Sequence, residues 1–148
     1  MSNMEVGQRP TNESVSLETP SVASTAQRAG MAVKGVGIDL CEIARMQAWL
    51  DEGHSLRRLF TEEEHSYISS KGAAAAQTMA GLFAAKEAVL KALGTGMTIP
   101  MTDICITHTD LGQPVVTLSG KAADMGGRVH LSITHEGGMA AAFAVWEA

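Results

Sequence analysis

Large aromatic side chains are scarce, with three Phe, two Trp and one Tyr among 148 residues. Cysteine is scarcer: Cys41 and Cys105 are too few and too plainly spaced for a disulfide framework or a Cys-rich zinc site. No secretory signal or long apolar run stands out, so a membrane span is not expected and a reduced cytoplasmic setting is the default. Positive charge is also short, with 11 Lys and Arg against 16 Asp and Glu for a net charge of -5. That balance speaks against a broad cationic face for nucleic acid or anionic lipid, so any anion-binding patch must be local. The length suits one small domain.

What is present divides into two regions. Residues 1–30 are rich in Ser, Thr, Glu and Pro, hold no aromatic residue and lack apolar periodicity. Such a segment cannot offset its ordering entropy by burial, so it reads as a disordered tail, or as an upstream start that translation does not use. The patterned domain is expected over 31–148. Val33, Val36, Ile38 and Leu40 predict a short, mostly buried strand ending near Asp39, followed by a helix from Glu42 to about Glu52 that stops at Gly53. Thr61-Glu-Glu-Glu64 has the spacing of a capping box, so a second helix should run to about Ser70.

The strongest helix signal runs from Ala73 to Leu93 and closes at Gly94, a left-handed cap. Met79, Leu82, Phe83, Leu90 and Leu93 form one stripe, while Ala84 and Ala88 lie opposite, where a surface helix would be polar, so this helix should be enclosed on most sides. Strands are predicted at Ile104–Ile106 and Val115–Leu118 around the turn Leu111-Gly-Gln-Pro114, then a short helix over Gly120 to Met125. Val129, Leu131 and Ile133 open a terminal hairpin that turns at Glu136-Gly-Gly138 and returns through Met139 to Trp146. The class is α+β with antiparallel pairing.

Two carboxylates stand in apolar surroundings: Asp39 at the end of its strand and Glu87 within the enclosed helix. Unpaired, each would suffer a large desolvation penalty, so an ion-pair partner, a proton or a hard cation must compensate. Oxygen donors without a His or Cys cluster suit Mg²⁺, whereas the plain alternative for Glu87 is a pair with Lys91 one turn on. Lys86 falls in the middle of the apolar stripe, so it either snorkels or joins Lys91 around a phosphate-bearing ligand. Gly35-Val-Gly37 lacks the third glycine and the βαβ context of a dinucleotide loop, which excludes that reading. Gly94-Thr-Gly96 is equally compatible with helix termination and phosphate binding. His135 shares a strand face with Leu131 and Ile133, and Arg45, Arg57 and Arg58 form either a solvated face or a docking patch for an acidic partner.

Gly35-Val-Gly-Ile-Asp39-Leu-Cys-Glu-Ile43, Phe60-Thr-x-x-Glu64, the block Ala80-Gly-Leu-Phe-Ala-Ala-Lys-Glu87 continuing through Lys91-Ala-Leu-Gly-Thr-Gly96, and Ser132-Ile-Thr-His135 closely resemble the holo-acyl-carrier-protein synthase family of 4'-phosphopantetheinyl transferases. The resemblance runs in order from Val33 to the C-terminus. It implies the transferase fold, an antiparallel sheet packed on a long central helix, and homotrimers with active sites between subunits. The implied reaction is Mg²⁺-dependent transfer of 4'-phosphopantetheine from coenzyme A to a serine of apo acyl carrier protein, releasing adenosine 3',5'-bisphosphate in support of fatty acid biosynthesis.

By the same resemblance Asp39 and Glu87 hold Mg²⁺, Glu87 and Lys91 are catalytic, and Lys91, Gly94, Gly96, Pro114, Ser132 and His135 contact coenzyme A. Glu64 would either help complete the metal or water shell or serve by its capping role alone, and Arg45 would dock the acidic carrier. One departure is Leu82, where many relatives carry an arginine expected near a coenzyme A phosphate. The acceptor of the serine proton stays open between a metal-bound water, Glu87 and another carboxylate. The competing readings are a coenzyme A-binding module without catalysis and a Mg²⁺-dependent phosphohydrolase.

Overall fold

Two bare stretches of backbone decide how the chain packs. A Cβ placed on Gly35 would lie 1.9 Å from the carbonyl oxygen of Ala92, and one on Gly37 would lie 1.9 Å from that of Ala88. Neither glycine needs a positive φ. They are required because a helix rests directly on the strand, which is the close approach that glycine permits.

The computed structural model describes residues 30–148. The reading of residues 1–30 as a tail therefore lies, apart from Gly30, outside the described residues. The element order is β1 (Val33–Glu42), α1 (Ile43–Asp51), α2 (Glu62–Ser69), α3 (Ala75–Leu93), β2 (Ile104–His108), β3 (Pro114–Leu118), α4 (Gly120–Asp124), β4 (Arg128–Glu136) and β5 (Met139–Glu147). β1, β5 and β4 form an antiparallel sheet in that order, and β2 pairs with β3 in a separate antiparallel hairpin. The α+β class and the terminal hairpin match the sequence expectation.

α3 lies on one face of the larger sheet. The strand residues beneath it are small, with Gly37 opposite Ala144, Asp39 opposite Ala142 and Cys41 opposite Ala140, and Ala84, Ala88, Ala140 and Ala144 are fully buried. The other flank of α3 carries Met79, Leu82 and Leu90 into a core shared with Phe60, Ile104 and Ile106. Side chains of that size each contribute about 1.5–3 kcal/mol when fully buried. Gly94 ends the helix at φ 70°, in the left-handed conformation expected of it.

β1 differs from its expectation. It is ten residues long and only one face is covered, leaving Val36, Ile38 and Leu40 about 60% exposed beside half-exposed Phe143. Strand alternation puts these four apolar side chains on the face away from α3. The run reads as mostly buried because both faces are apolar, yet only the inner face has a cover.

Lys86 neither snorkels nor reaches a ligand. Its ammonium is fully buried, 2.5 Å from Glu64 Oε2, and donates to the carbonyl oxygens of Leu59 at 2.7 Å and Met101 at 3.0 Å. All three ammonium protons thus have acceptors. Glu64 closes the capping box, accepting from the Thr61 backbone N–H at 2.8 Å, and its other oxygen accepts from the Ile106 N–H at 2.8 Å. Burial pulls the Lys86 ammonium below its usual range, and the contact with Glu64 opposes that shift. Both Glu64 oxygens are occupied inside the core, which overturns its expected place in a metal or water shell.

This pair ties α2, α3, β2 and the turn before α2 together, and Glu64 also holds two backbone donors, so apolar substitution of either partner strands polar groups. Lys86→Met is expected to cost about 3–5 kcal/mol in urea unfolding. A loss under about 1 kcal/mol would mean that the carboxylate finds another partner.

Candidate active site

Where α3 crosses β1, Asp39 faces the helix and remains partly accessible, with 20% of its side chain exposed. Lys91, in the last turn of α3, reaches back to it. Its ammonium donates to Asp39 Oδ1 at 2.9 Å and to the Ile38 carbonyl oxygen at 2.9 Å. The lysine is half exposed, so its third proton is available to a ligand.

Glu87 sits one turn before Lys91, half-buried. Burial is the first cause raising its carboxyl above the usual range, and the negative charge of Asp39 is the second; Lys91 and Arg45 oppose both. The sequence rule that pairs Glu87 with Lys91 loses to the sheet, because Asp39 takes the lysine. Two neighbouring carboxylates beside one lysine, with the proton affinity of Glu87 raised, form an oxygen-only site. Such a donor pair fits Mg²⁺, which is commonly held by one or two carboxylates together with substrate phosphates and water. Among the described residues no group of three or more His, Cys, Asp or Glu side chains could hold a metal alone.

Arg45 stands beside this cluster on α1. Its guanidinium lies 5.2 Å from the Phe83 ring centre and 5.5 Å from that of Trp49, and it donates weakly to Cys41 Sγ at 3.6 Å. It is nevertheless exposed to solvent, as are Arg57 and Arg58. Stacking limits where the charge can go without hiding it. Gly94 and Gly96 both hold positive φ with open space where a Cβ would project, so turn geometry requires them rather than a close neighbour in the chain.

A cleft of about 250 Å³ opens on the other flank of α3, between the helix, the β2–β3 hairpin and β4. Pro114 and His135 line it, as does Leu82. His135 Nε2 is 2.9 Å from the Gln77 side-chain nitrogen. Ser132 lies elsewhere: it pairs with Phe143 and falls on the exposed outer face of the sheet, away from α3. The fold therefore joins Asp39, Glu87 and Lys91 in one cluster and Pro114 and His135 in another, and separates Ser132 from both. The cleft also contains Tyr67 and His108, which sequence reasoning missed. Their rings stack with centres 4.6 Å apart and planes 14° apart, although 41 positions separate them; no local spacing signals such a pair.

Residues 35–144 match the 4'-phosphopantetheinyl transferase superfamily. The chain is 41% identical over 121 residues to the holo-[acyl-carrier-protein] synthase of Treponema denticola, covering 78% of this chain and 98% of that protein. It is 43% identical over 124 residues to the same enzyme of Clostridium perfringens, covering 76% and 92%. Among solved structures, a holo-(acyl-carrier-protein) synthase from Bacillus anthracis in complex with coenzyme A (3',5'-ADP) superposes with a TM-score of 0.68 at 36% identity, covering 80% and 99%. The Neisseria meningitidis holo-[acyl-carrier-protein] synthase gives 0.70 at 31%, covering 79% and 100%.

The raised Glu87 pKa has a definite sign. The fold disfavours the charged carboxylate, so the stability that the group contributes is complete below its unfolded pKa and is lost as pH rises through the folded one. Glu87→Gln is expected to raise Tm slightly at neutral pH and to leave it unchanged in acid, where the carboxyl is protonated in either state. Asp39→Asn should lower the Glu87 pKa, followed by NMR titration of its carboxyl carbon. A pKa unmoved by that substitution would contradict the coupling.

Proposed function

Since the chain belongs to the 4'-phosphopantetheinyl transferase superfamily and is an enzyme of the holo-[acyl-carrier-protein] synthase kind, we propose that it moves 4'-phosphopantetheine from coenzyme A to a serine of apo acyl carrier protein. The transferase domain is residues 31–148. The serine oxygen bonds to the phosphorus bearing the pantetheine arm, the anhydride P–O bond breaks, and adenosine 3',5'-bisphosphate leaves with the bond's electron pair. The serine proton is released. This reaction supplies fatty acid biosynthesis in the cytoplasm.

The observation that carries the reading is the cluster of Asp39, Glu87 and Lys91 at the crossing of α3 and β1. Asp39 and Glu87 hold Mg²⁺, supported by their oxygen-only chemistry and the Glu87 carboxyl raised by burial and by Asp39. When bound, that ion supplies charge neutralisation at the pyrophosphate. Lys91 gives its free proton to the same phosphates and stabilises negative charge gathering on the leaving group. Gly94 and Gly96 let the turn after α3 approach coenzyme A, while Pro114 and His135 hold its nucleotide end in the cleft. Arg45, exposed on α1, receives the acidic carrier. A few placed cations suffice to steer an acidic partner onto an acidic enzyme, and added salt weakens that encounter.

Three copies complete three sites. The acid cluster and the cleft lie on opposite flanks of α3, roughly 130° apart around its axis at 100° per residue. One ligand touching both on a single chain would have to wrap around the helix, whereas the cleft of one chain meeting the acids of the next requires no wrapping. The uncovered apolar face of Val36, Ile38, Leu40 and Phe143 is the surface through which copies join. Ser132 lies on that face, so its contact with coenzyme A is made across the interface.

The direct assay incubates the protein with apo acyl carrier protein, coenzyme A and Mg²⁺ and records the intact mass of the carrier. A gain of one phosphopantetheine group, abolished by chelation, is expected; an unchanged carrier would leave a coenzyme A-binding module. Asp39→Ala and Glu87→Ala should each lower turnover by about a hundredfold or more, whereas Arg45→Ala should chiefly raise KM for the carrier. Near-normal turnover of both acid variants at limiting Mg²⁺ would sink the metal assignment. Phe143→Asp should yield monomers by light scattering, and a full-sized assembly would remove the sheet face from the interface.

A further inference from the structure

Arg45 is the only basic residue of α1, a helix that ends at Asp51 with Glu52 as its C-cap. Glu42, three positions before it at the N-cap, is the carboxylate that helical spacing offers it. That pair does not form: among the described residues no carboxylate lies within 4.0 Å of Arg45. The guanidinium carbon stands instead 5.5 Å from the centre of the Trp49 ring and 5.2 Å from that of Phe83. The two rings meet edge to face, with centres 5.9 Å apart and planes at 84°, and so make a right-angled corner for the cation. His54 packs on the indole with ring centres 6.4 Å apart, and its Nε2 is in turn held by Glu52 Oε2 at 2.5 Å.

Aromatic rings attract a cation through their quadrupole, but they neither neutralise it nor occupy its N–H donors. Apart from the weak bond to Cys41 Sγ at 3.6 Å, the planar fork of Arg45 is left for a carboxylate from outside, and the residue is exposed to receive one. A long side chain loses rotamer freedom when it docks, and one already held by its neighbours has less to lose. Trp49 can supply that hold: it is half-buried and lies four residues after Arg45, on the same face of α1. Phe83 completes the corner from α3, the helix that also carries the acid cluster.

We propose that Trp49 is a positioning residue for capture of the acidic carrier, holding the Arg45 guanidinium against Phe83 so that its charge is un-neutralised and pre-oriented for a bidentate carboxylate. This rests on the reading of Arg45 as the residue that receives the carrier. Trp49 acts through Arg45, and the phosphoryl group reacts elsewhere, at the acid cluster.

Calorimetry of apo acyl carrier protein with the full chain, in the absence of coenzyme A, reads this hold without depending on transfer. Trp49→Leu, which keeps an apolar side chain at the position, should weaken carrier binding about threefold to tenfold. Trp49→Tyr, which keeps a π face, should remain within about twofold of the unsubstituted protein. In an Arg45→Gln background the Trp49→Leu change should have no further effect, because no guanidinium is left to hold. On the unsubstituted protein, the Arg45 Nε proton should resonate upfield of its random-coil position under the ring currents of Trp49 and Phe83. Carrier binding unchanged by Trp49→Leu overturns the proposal, as does a random-coil shift for that proton. A loss of the same size with Arg45 already removed also overturns it, since Trp49 would then touch the carrier directly. If binding depends on Trp49 only through Arg45 and no carrier is modified, this inference stands and the transferase reading fails; modified carrier with additive losses gives the reverse.

Discussion

The closeness of α3 to β1 is the constraint from which the remaining structure follows. Gly35 and Gly37 offer no side chains, Ala88 and Ala92 offer almost none, and the helix backbone touches the strand. A larger residue at either glycine would lift the helix by a distance comparable to a methyl group, since its Cβ would lie 1.9 Å from a carbonyl oxygen. The lift would pull Glu87 and Lys91 away from Asp39, whose link to Lys91 spans 2.9 Å. Tight packing and the acid cluster are therefore one feature seen from two sides.

On the far flank the helix is held by a charge instead of a small residue. Lys86 and Glu64 form a buried ion pair with every remaining donor and acceptor engaged by backbone. Such pairs add little net stability over apolar packing but are costly to break, so they serve to fix one arrangement. In this chain that arrangement sets the rotation of α3 about its own axis. With that rotation fixed, consecutive residues Lys86 and Glu87 have opposite fates: the first is locked in the core, and the second is presented at the β1 flank with a raised proton affinity.

Local periodicity made most of the elements legible before the structure. The capping box at Thr61 and Glu64, the left-handed Gly94 and the terminal hairpin all depend on neighbours within a few positions, and all formed as expected. Misreadings occurred where the deciding partner was distant. The plain alternative of a Glu87–Lys91 pair is the one that fails, because the Lys91 ammonium bonds Asp39, 52 residues away. Lys86 and Glu64 each carried a visible signal, a charge in an apolar stripe and an acid in a capping box, yet nothing local joins them. β1 read as mostly buried because its outer face, bare in this chain, is apolar too. Ser132 and His135, close in sequence and both assigned to coenzyme A, face opposite sides of the sheet, an outcome fixed by the strand register.

In the proposed assembly each active site is shared between two copies, with acids from one flank of α3 and the cleft from the opposite flank of its neighbour. Mixing two variants tests that division directly: Glu87→Ala removes the acid side, and Thr78→Phe fills the cleft. Each alone should be inactive. Co-refolded in equal amounts, they should recover about a quarter of the normal transfer rate, because random assortment in a closed ring leaves one interface in four with both halves intact. Recovery near that level is the predicted result. Mixtures that assemble into hybrid oligomers yet stay as inactive as the separate variants would place both halves of the site on one chain and contradict the account.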